Sequence, residues 1–297
     1  MLPTKNGVGP SVVGLPKDEA SQWRTITDFL TERFPAIPRA TWLQRMAHGD
    51  VEDEFGVSVT PERRYQDHIR VYYYRDLEIE ERIPFDEVIL HQDEHLIVVD
   101  KPHFLPVTPS GKYLQETVLV RLKRKLGLDD LVPIHRIDRD TAGLVLFSVQ
   151  PATRDAYQAL FRDRAVHKTY EAIAPWRPEL TFPVTRHSRI VEGEGFMTQR
   201  EVDGTPNALT HIQVLKIKGQ FARYQLSPVT GKRHQLRVHM NALGLPILGD
   251  GIYPVLTPEG QIDYENPLQL LAKSIEWLDP IAHALRRFES QQALHLK

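Results

Sequence analysis

Cysteine is absent from the 297 residues of this sequence. Disulfide bonds, thiolate zinc sites and cysteine nucleophiles are therefore excluded together. Long apolar runs are missing too, since no uninterrupted stretch approaches the roughly 18 residues that a membrane span needs. The N-terminus also lacks the basic and then apolar order of a secretory signal. These absences predict a cytoplasmic protein that has no membrane partner.

Net charge is small, at −2, which argues against a protein that binds polyanions with its whole surface. The two signs are nevertheless segregated along the chain. Residues 50–54 and 76–87 are mainly acidic, whereas the segment from Lys216 to His239 contains lysines and arginines but no acidic residue. A second basic run lies at Arg121–Lys125. We interpret at least one basic cluster as a local phosphate-binding surface; the alternative is that both are solvated faces.

The composition, with 41% hydrophobic and 26% charged residues, is that of a globular protein. Its length allows one large core, or a large domain with a small one attached. Residues 1–20 lack periodicity, which indicates a flexible tail. Two helices, from Trp23 to about Pro35 and from Thr41 to His48, and a strand at Arg70–Tyr74 predict a small α/β module over residues 21–80. Acidic residues before Pro84 indicate a linker, and a second domain at 81–297 follows.

The second domain alternates strand and helix patterns. Val88–Leu90 and Leu96–Val99 predict a hairpin, and Pro151 suits the first position of a helix that runs to Ala165. Residues 180–203 are rich in turn residues. Further predicted helices are Leu114–Leu126, the segment after Thr230-Gly231, and Ile281–Leu296; further predicted strands are Leu144–Ser148, His167–Ala174, Leu209–Ile217 and Gln220–Leu226.

The segment His135–Gly143 combines four formal charges with a histidine directly before the apolar run Leu144–Ser148. Carboxylates are seldom buried without partners, because desolvation costs several kcal/mol unless cations or donors offset it. A paired, ionised Asp138 at the mouth of a sheet fits this pattern. The alternative is that Asp138 or Asp140 only closes a turn through Thr141 and Gly143.

This segment, His-Arg-Ile-Asp-Arg-Asp-Thr-Ala-Gly-Leu, resembles the His-Arg-Leu-Asp-x-x-Thr-Ser-Gly-Leu signature of the RluA-like family of pseudouridine synthases. Two other segments resemble motifs of the same family in the same order. Lys101-Pro102 is similar to the first motif, although Phe104 stands where glycine is usual. The segment Thr230–His239, followed by Leu243–Ile247, is similar to the third motif, with Lys232 in place of the usual arginine.

The resemblance implies an α+β fold, the pseudouridine synthase fold, in which a mostly antiparallel mixed sheet has flanking helices. It implies an isomerase that converts uridines of structured RNA, ribosomal or transfer RNA, to pseudouridine without a cofactor or metal. Asp138 would be the catalytic carboxylate, Arg237 its partner, and Tyr170 an active-site tyrosine on the strand with Lys168. We expect a monomer. The residues expected to contact substrate are His135, Arg136, Thr141, Lys168, Lys232, Arg233, His234 and Gln235.

Competing interpretations remain at this point. The N-terminal module resembles a ribosomal-protein-type RNA-binding module, but its acidic 50–54 run is unusual for a turn that faces RNA, so packing or vestigial structure is the alternative. A non-catalytic RNA-binding protein is the main rival to the enzyme. A metal-dependent phosphoesterase built on His135, Asp138, His234 and His239 is less favoured, because their spacing matches no metal-site pattern and the neighbouring arginines would repel a cation.

Overall fold

A computed structural model describes residues 4–75, 80–195, 198–257 and 263–295. The chain divides into two compact units. The first comprises Met1–Glu81, Pro109–Glu116 and Val120–Asp129, and the second comprises Arg82–Thr108, Thr117–Leu119 and Asp130–Lys297. The predicted domain boundary at residue 80 stays a prediction, and the first unit includes two segments that the sequence had assigned to the second domain.

The first unit packs two helices against a small sheet. Its elements are β1 (Ser11–Gly14), α1 (Ile26–Arg33), α2 (Arg39–Ala47), β2 (Val51–Asp53) and β3 (Arg70–Tyr73), and the antiparallel sheet has the order β1-β3-β2. Helix α1 begins with a capping box, because Thr25 and Asp28 satisfy each other's main-chain N–H groups. Leu30, Trp42 and Val71 are fully buried in its core.

The predicted tail at residues 1–20 is wrong for the part that the structure describes. Strand β1 pairs with β3 from Ser11 to Gly14, and Leu15 is buried in the core of the first unit. This strand is hard to predict, because a four-residue edge strand between glycines and prolines shows no clear periodicity. Its main-chain hydrogen bonds are supplied by a partner almost 60 residues away, and only the folded chain brings that partner close.

The second unit is built on a large mixed sheet, which confirms the predicted α+β class. In the described residues the strand order is β10-β9-β11-β12-β8-β13-β7-β5-β4, with β14 beside β13 and β6 beside β7. The pairs are antiparallel except β7 with β13. The strands are β4 (Val88–Gln92), β5 (Leu96–Lys101), β6 (Val132–Pro133), β7 (Ala142–Ser148), β8 (His167–Pro175), β9 (Val184–Glu192), β10 (Gln199–Val202), β11 (Ala208–Lys218), β12 (Phe221–Pro228), β13 (Leu270–Leu278) and β14 (Leu285–Glu289).

Helices α4 (Pro151–Arg162) and α5 (Gln235–Ala242) accompany these strands in the described chain, whereas α3 (Val118–Leu126) belongs to the first unit from Val120 onward. Helix α4 contributes Tyr157 to a core with Leu146 and Trp277. Helix α5 contributes Leu236 and Met240 to another core. The central sheet is thus fixed against α5 by aliphatic burial, which removes apolar surface from water. None of the described helices is both long and apolar enough to cross a bilayer.

Two element predictions in the second unit are wrong. Residues 184–192 and 199–202 form β9 and β10 instead of turns. Their strand character is not evident from the sequence, because polar and charged residues occupy most positions of β9 on both of its faces. The predicted C-terminal helix is instead the edge strand β14, which pairs with β13 and alternates exposed and half-buried side chains. The side chain of Asp279 accepts hydrogen bonds from Ile281 and Ala282 in a turn, the same chemistry that suggested a helix start.

Candidate active site

Asp138 lies in the loop between β6 and β7, and β7 is an inner strand of the large sheet, between β13 and β5. The Thr141 N–H donates to the Asp138 carbonyl at 3.2 Å, so the turn that the sequence offered as an alternative does form. Gly143, the second residue of β7, has a φ of +107°, and a Cβ there would lie 2.3 Å from the Ala272 carbonyl oxygen. Glycine is therefore required where β7 approaches β13. This close approach fixes the base of the Asp138 loop.

The predicted contact between Asp138 and Arg237 is present. Helix α5 carries Arg237, whose Nη1 donates to Asp138 Oδ2 at 3.2 Å. The Arg237 side chain is only 2% exposed, whereas that of Asp138 is 28% exposed. The carboxylate is thus held by a buried cation and still reachable from solvent, which combines a fixed rotamer with access for a substrate.

Asp250 is a second carboxylate partner of Arg237 that the sequence analysis missed. Its two oxygens accept from Arg237 Nε at 2.8 Å and Nη2 at 2.6 Å, a two-pronged ion pair. The main-chain N–H groups of Ile252 and Tyr253 donate to the same carboxylate. Asp250 follows Gly249, shortly after the end of the third motif at Ile247. This closeness to the motif is the feature of the sequence that could have identified Asp250 as a site residue. Arg237 is therefore aimed at Asp138 by a buried anion behind it.

The charges explain why the arginine stays ionised. Burial lowers the pKa of Arg237, but the hydrogen bonds and charge of Asp250, followed by the charges of Asp138 and Asp140, raise the pKa above its ordinary value. Such a site keeps its cation at every pH at which the protein folds. The carboxylate of Asp138 therefore always faces a positive charge.

Tyr170 lies on β8, opposite Leu226 of β12 and Ala272 of β13. Burial, and then the negative charge of Asp138, raise the pKa of the Tyr170 phenol well above its ordinary value. The charge of Asp138 thus acts on the Tyr170 phenol. The phenol is consequently neutral and keeps its proton under all ordinary conditions.

His234 precedes α5 and has a left-handed backbone, with φ of +55°. Its Nε2 atom lies 4.0 Å from Asp138 Oδ1, and its Nδ1 atom lies 3.0 Å from the Tyr253 hydroxyl oxygen. The ring is 7% exposed. His234 thus joins the Asp138 site, but from inside the protein.

Three of the residues that are expected to bind substrate make internal contacts. His135 stacks on Phe161 at 4.5 Å and its Nε2 accepts the Leu146 N–H; burial, then the charge of Lys168, lower the pKa of His135 to about 3. Thr141 is buried in the loop. Both residues have a role in packing, because the Nε2 atom and the ring face of His135 contact other residues and Thr141 is buried.

Gln235 is the third such residue. Its Oε1 accepts from the Thr230 hydroxyl and the Lys232 N–H, and its Nε2 donates to the Leu209 carbonyl and the Thr210 hydroxyl. These four bonds use both acceptor sites of the amide oxygen and both donors of the amide nitrogen. Gln235 therefore fixes the turn of the third motif and has no donor left for a substrate.

Four basic residues remain available around the site. Arg136, Lys232 and Arg233 are exposed. Lys168 is half-buried, and its Nζ lies 3.9 Å from the position that a Cβ on Gly231 would occupy. Burial lowers the pKa of Lys168. These side chains are compatible with the phosphate contacts that the sequence predicted.

Lys101, to which the sequence analysis gave no role, supports the Asp138 loop from below. Its Nζ is fully buried and donates to the carbonyls of Pro102 and Arg139, at 2.9 and 2.8 Å. Burial lowers its pKa to about 7, and the charges of Asp140 and Asp138 oppose that change.

Within the described residues, no group of three or more histidine, aspartate or glutamate side chains is arranged to hold a metal ion.

Comparison with known proteins identifies the family. The family model described as RNA pseudouridylate synthase matches residues 95–242. An uncharacterized RNA pseudouridine synthase of Synechocystis is 30% identical over 231 residues, which cover 76% of this chain and 78% of that protein. The dual-specificity RNA pseudouridine synthase RluA of Haemophilus influenzae is 36% identical over 168 residues, which cover 56% of this chain and 76% of that protein.

Solved structures agree with these matches. Human RNA pseudouridylate synthase domain containing 4 has a TM-score of 0.55 at 27% identity, over 70% of this chain and 88% of that one. Human RNA pseudouridylate synthase domain containing 1 has a TM-score of 0.58 over 72% of this chain and 86% of that one, and at 21% identity it supports the fold alone. The predicted pseudouridine synthase fold is thereby confirmed. The chain belongs to the RluA-like family of RNA pseudouridine synthases.

Proposed function

We propose that Asp138 is the catalytic carboxylate of this isomerase and that its target is a uridine in ribosomal or transfer RNA. One observation carries the proposal. A partly exposed carboxylate receives a hydrogen bond from a buried arginine, beside a tyrosine that stays protonated. A non-catalytic RNA-binding protein has no need for such a fixed carboxylate, because phosphates are bound by cations.

Pseudouridine formation cuts the glycosidic bond of a uridine, rotates the base and rejoins it through carbon. No net oxidation or hydrolysis occurs, so the reaction needs no redox cofactor. A carboxylate can serve such a reaction as a nucleophile or as a base. In either role Arg237 holds Asp138 in one orientation, and Tyr170 can stack on the base and take part in proton transfer late in the reaction.

The basic residues around Asp138 suit an extruded nucleotide. A uridine inside folded RNA must leave its stack, at a cost of a few kcal/mol. Arg136 is exposed next to the loop and is suited to fill the space that the base leaves. Lys168, Lys232 and Arg233 would bind phosphates, which gives affinity without sequence choice. The monomeric state and the cytoplasmic location remain parts of this proposal.

Tritium release from RNA labelled at carbon 5 of uridine tests the proposal. The wild-type protein should release tritium from total RNA, and Asp138→Ala should release none while it still retards RNA in a gel. Asp155→Ala is the control, because Asp155 is an exposed carboxylate on α4. Release by Asp138→Ala at the wild-type rate would overturn the role of Asp138, and no release by the wild type from any RNA would favour the RNA-binding alternative.

A further inference from the structure

Both ring nitrogens of His234 face a polar group inside the protein. The Nδ1 atom is 3.0 Å from the Tyr253 hydroxyl oxygen, and the two rings meet edge to face. The Nε2 atom is 4.0 Å from Asp138 Oδ1. Arg237 uses the other carboxylate oxygen, Oδ2. His234 and Arg237 therefore approach Asp138 at different oxygens.

The contacts of Tyr253 decide which nitrogen of His234 has the proton. The main-chain N–H of Gln199 donates to the Tyr253 hydroxyl oxygen at 2.8 Å. That oxygen is an acceptor in this bond, so the phenol hydrogen is free to point at His234 Nδ1. A neutral imidazole that accepts at Nδ1 has its hydrogen on Nε2. The Nε2–H then points toward the Asp138 carboxylate, where a donor is favourable.

We propose that His234 is a positioning residue for Asp138. In this role His234 donates its Nε2–H to Asp138 Oδ1, while Tyr253 and the Gln199 main chain fix the tautomer of His234. This inference rests on the proposed role of Asp138. In the free protein the distance of 4.0 Å exceeds that of a hydrogen bond, and active-site hydrogen bonds are often long before the substrate binds. The bond would shorten when RNA closes the site, and Asp138 would then be held at both oxygens.

The charges around the ring agree with a neutral donor. Burial lowers the pKa of His234, the negative charge of Asp138 opposes this, and the positive charges of Arg237 and Arg233 lower it further, against a smaller effect of Asp250. A neutral imidazole can orient the carboxylate without adding a second full positive charge. It also has no surface left for the RNA contact that the family resemblance implied, because the ring is almost completely buried.

Two amide substitutions separate positioning from packing. In His234→Gln the amide group reaches about as far as Nε2, so it can donate to Asp138 but not bind Tyr253. In His234→Asn the amide group reaches only as far as Nδ1, so it keeps the contact with Tyr253 and loses Asp138. Asparagine also tolerates the left-handed backbone better than glutamine. If His234 has only a structural role, the His234→Asn variant should therefore be the more active one. If His234 positions Asp138, the His234→Gln variant should be the more active one.

The rates of tritium release at limiting and saturating RNA measure the difference. We expect kcat of His234→Asn to fall roughly 10- to 100-fold, the factor of a hydrogen bond to a charged group, with KM unchanged and a markedly smaller fall for His234→Gln. His283→Asn is the matched control, since His283 is an exposed histidine with φ of +53°. Equal kcat losses in the two variants, a more active Asn variant, or a change in KM alone would overturn the proposal.

A second measurement does not depend on activity and keeps this inference separate from the proposed function. Nitrogen-15 NMR of labelled histidine reports the tautomer directly. We expect the Nε2–H form of His234 in the wild type and a mixture of tautomers in Tyr253→Phe, which lacks the phenol hydrogen. An Nδ1–H form in the wild type would refute the inference even if Asp138 is catalytic. The predicted tautomer in a protein that releases no tritium would refute only the proposed function.

Discussion

Substitution of Asp250 by asparagine tests whether a buried anion aims Arg237 at the catalytic loop. The side chains of Arg237 and Asp250 are 2% and 1% exposed. An asparagine has the same shape, and its oxygen can still accept from Ile252 and Tyr253. That oxygen can also still accept from Arg237 Nη2, whereas the NH2 group would face Nε. The substitution therefore removes the negative charge and replaces one of the two prongs by a contact between donors.

The expected cost is large. Removal of one partner from a buried ion pair costs about 3–5 kcal/mol, because the other charge stays buried without compensation. Asp138 still contacts Arg237 at 3.2 Å, which favours the lower end, about 3 kcal/mol. With a slope of about 2 kcal/mol per molar urea, the unfolding midpoint should fall by about 1–2 M. The rate of tritium release should fall as well, because Asp250 no longer holds Arg237 in the orientation in which it contacts Asp138.

Urea unfolding followed by tryptophan fluorescence is the assay, and Asp155→Asn is the control. Asp155 pairs with Arg162 at 3.4 Å, but the two side chains are 86% and 61% exposed, and exposed ion pairs contribute little. The double variant Arg237→Met with Asp250→Asn removes both charges, so its cost should be at least about 2 kcal/mol less than the sum of the single costs. Additive costs, or an Asp250→Asn midpoint equal to that of Asp155→Asn, would refute the reasoning.

Two further predictions concern protons. Tyr170→Phe should fold and bind RNA like the wild type and yet release tritium slowly, because the phenol that stays protonated in the fold is lost; an unchanged rate would rule out proton transfer by its hydroxyl. His239 is fully buried between the Ser188 and Thr210 hydroxyls, and burial, opposed by Glu201, lowers its pKa from 6.5 to about 4. Between pH 4 and pH 6.5 His239 is protonated in the unfolded chain and neutral in the folded protein. The free energy of unfolding should therefore fall by about 3 kcal/mol as the pH falls from above 6.5 toward 4. Urea midpoints from pH 7.5 to 4.5 should therefore fall less steeply for His239→Gln than for the wild type, and parallel slopes would contradict the assignment.

Local patterns in the sequence were sufficient for most elements of the fold. Alternating or continuous apolar runs predicted β5, β7, β8, β11 and β12, and helical spacing with capping residues predicted α1, α2, α4 and α5, all of which the structure contains. Most of the strands that the sequence analysis missed have few apolar residues; the exception is β13, an inner strand between β8 and β7. In β1, β9, β10 and β14 the chain has polar or glycine-rich sequence, and its strand conformation comes from hydrogen bonds to distant partners, which no local pattern records.

For the site, the sequence by itself determined the residue types and the family, because its three motifs resemble those of the family that the comparisons identify. It predicted the contact between Asp138 and Arg237, which are 99 positions apart, only through that resemblance. The tertiary structure alone decided that Asp250 holds Arg237, that Tyr253 meets His234, and that Gln235 and His135 face inward. The physical reason is that burial and hydrogen-bond partners belong to the packed chain: the same glutamine or histidine binds substrate or fixes a turn according to which groups the fold brings within 3 Å of it.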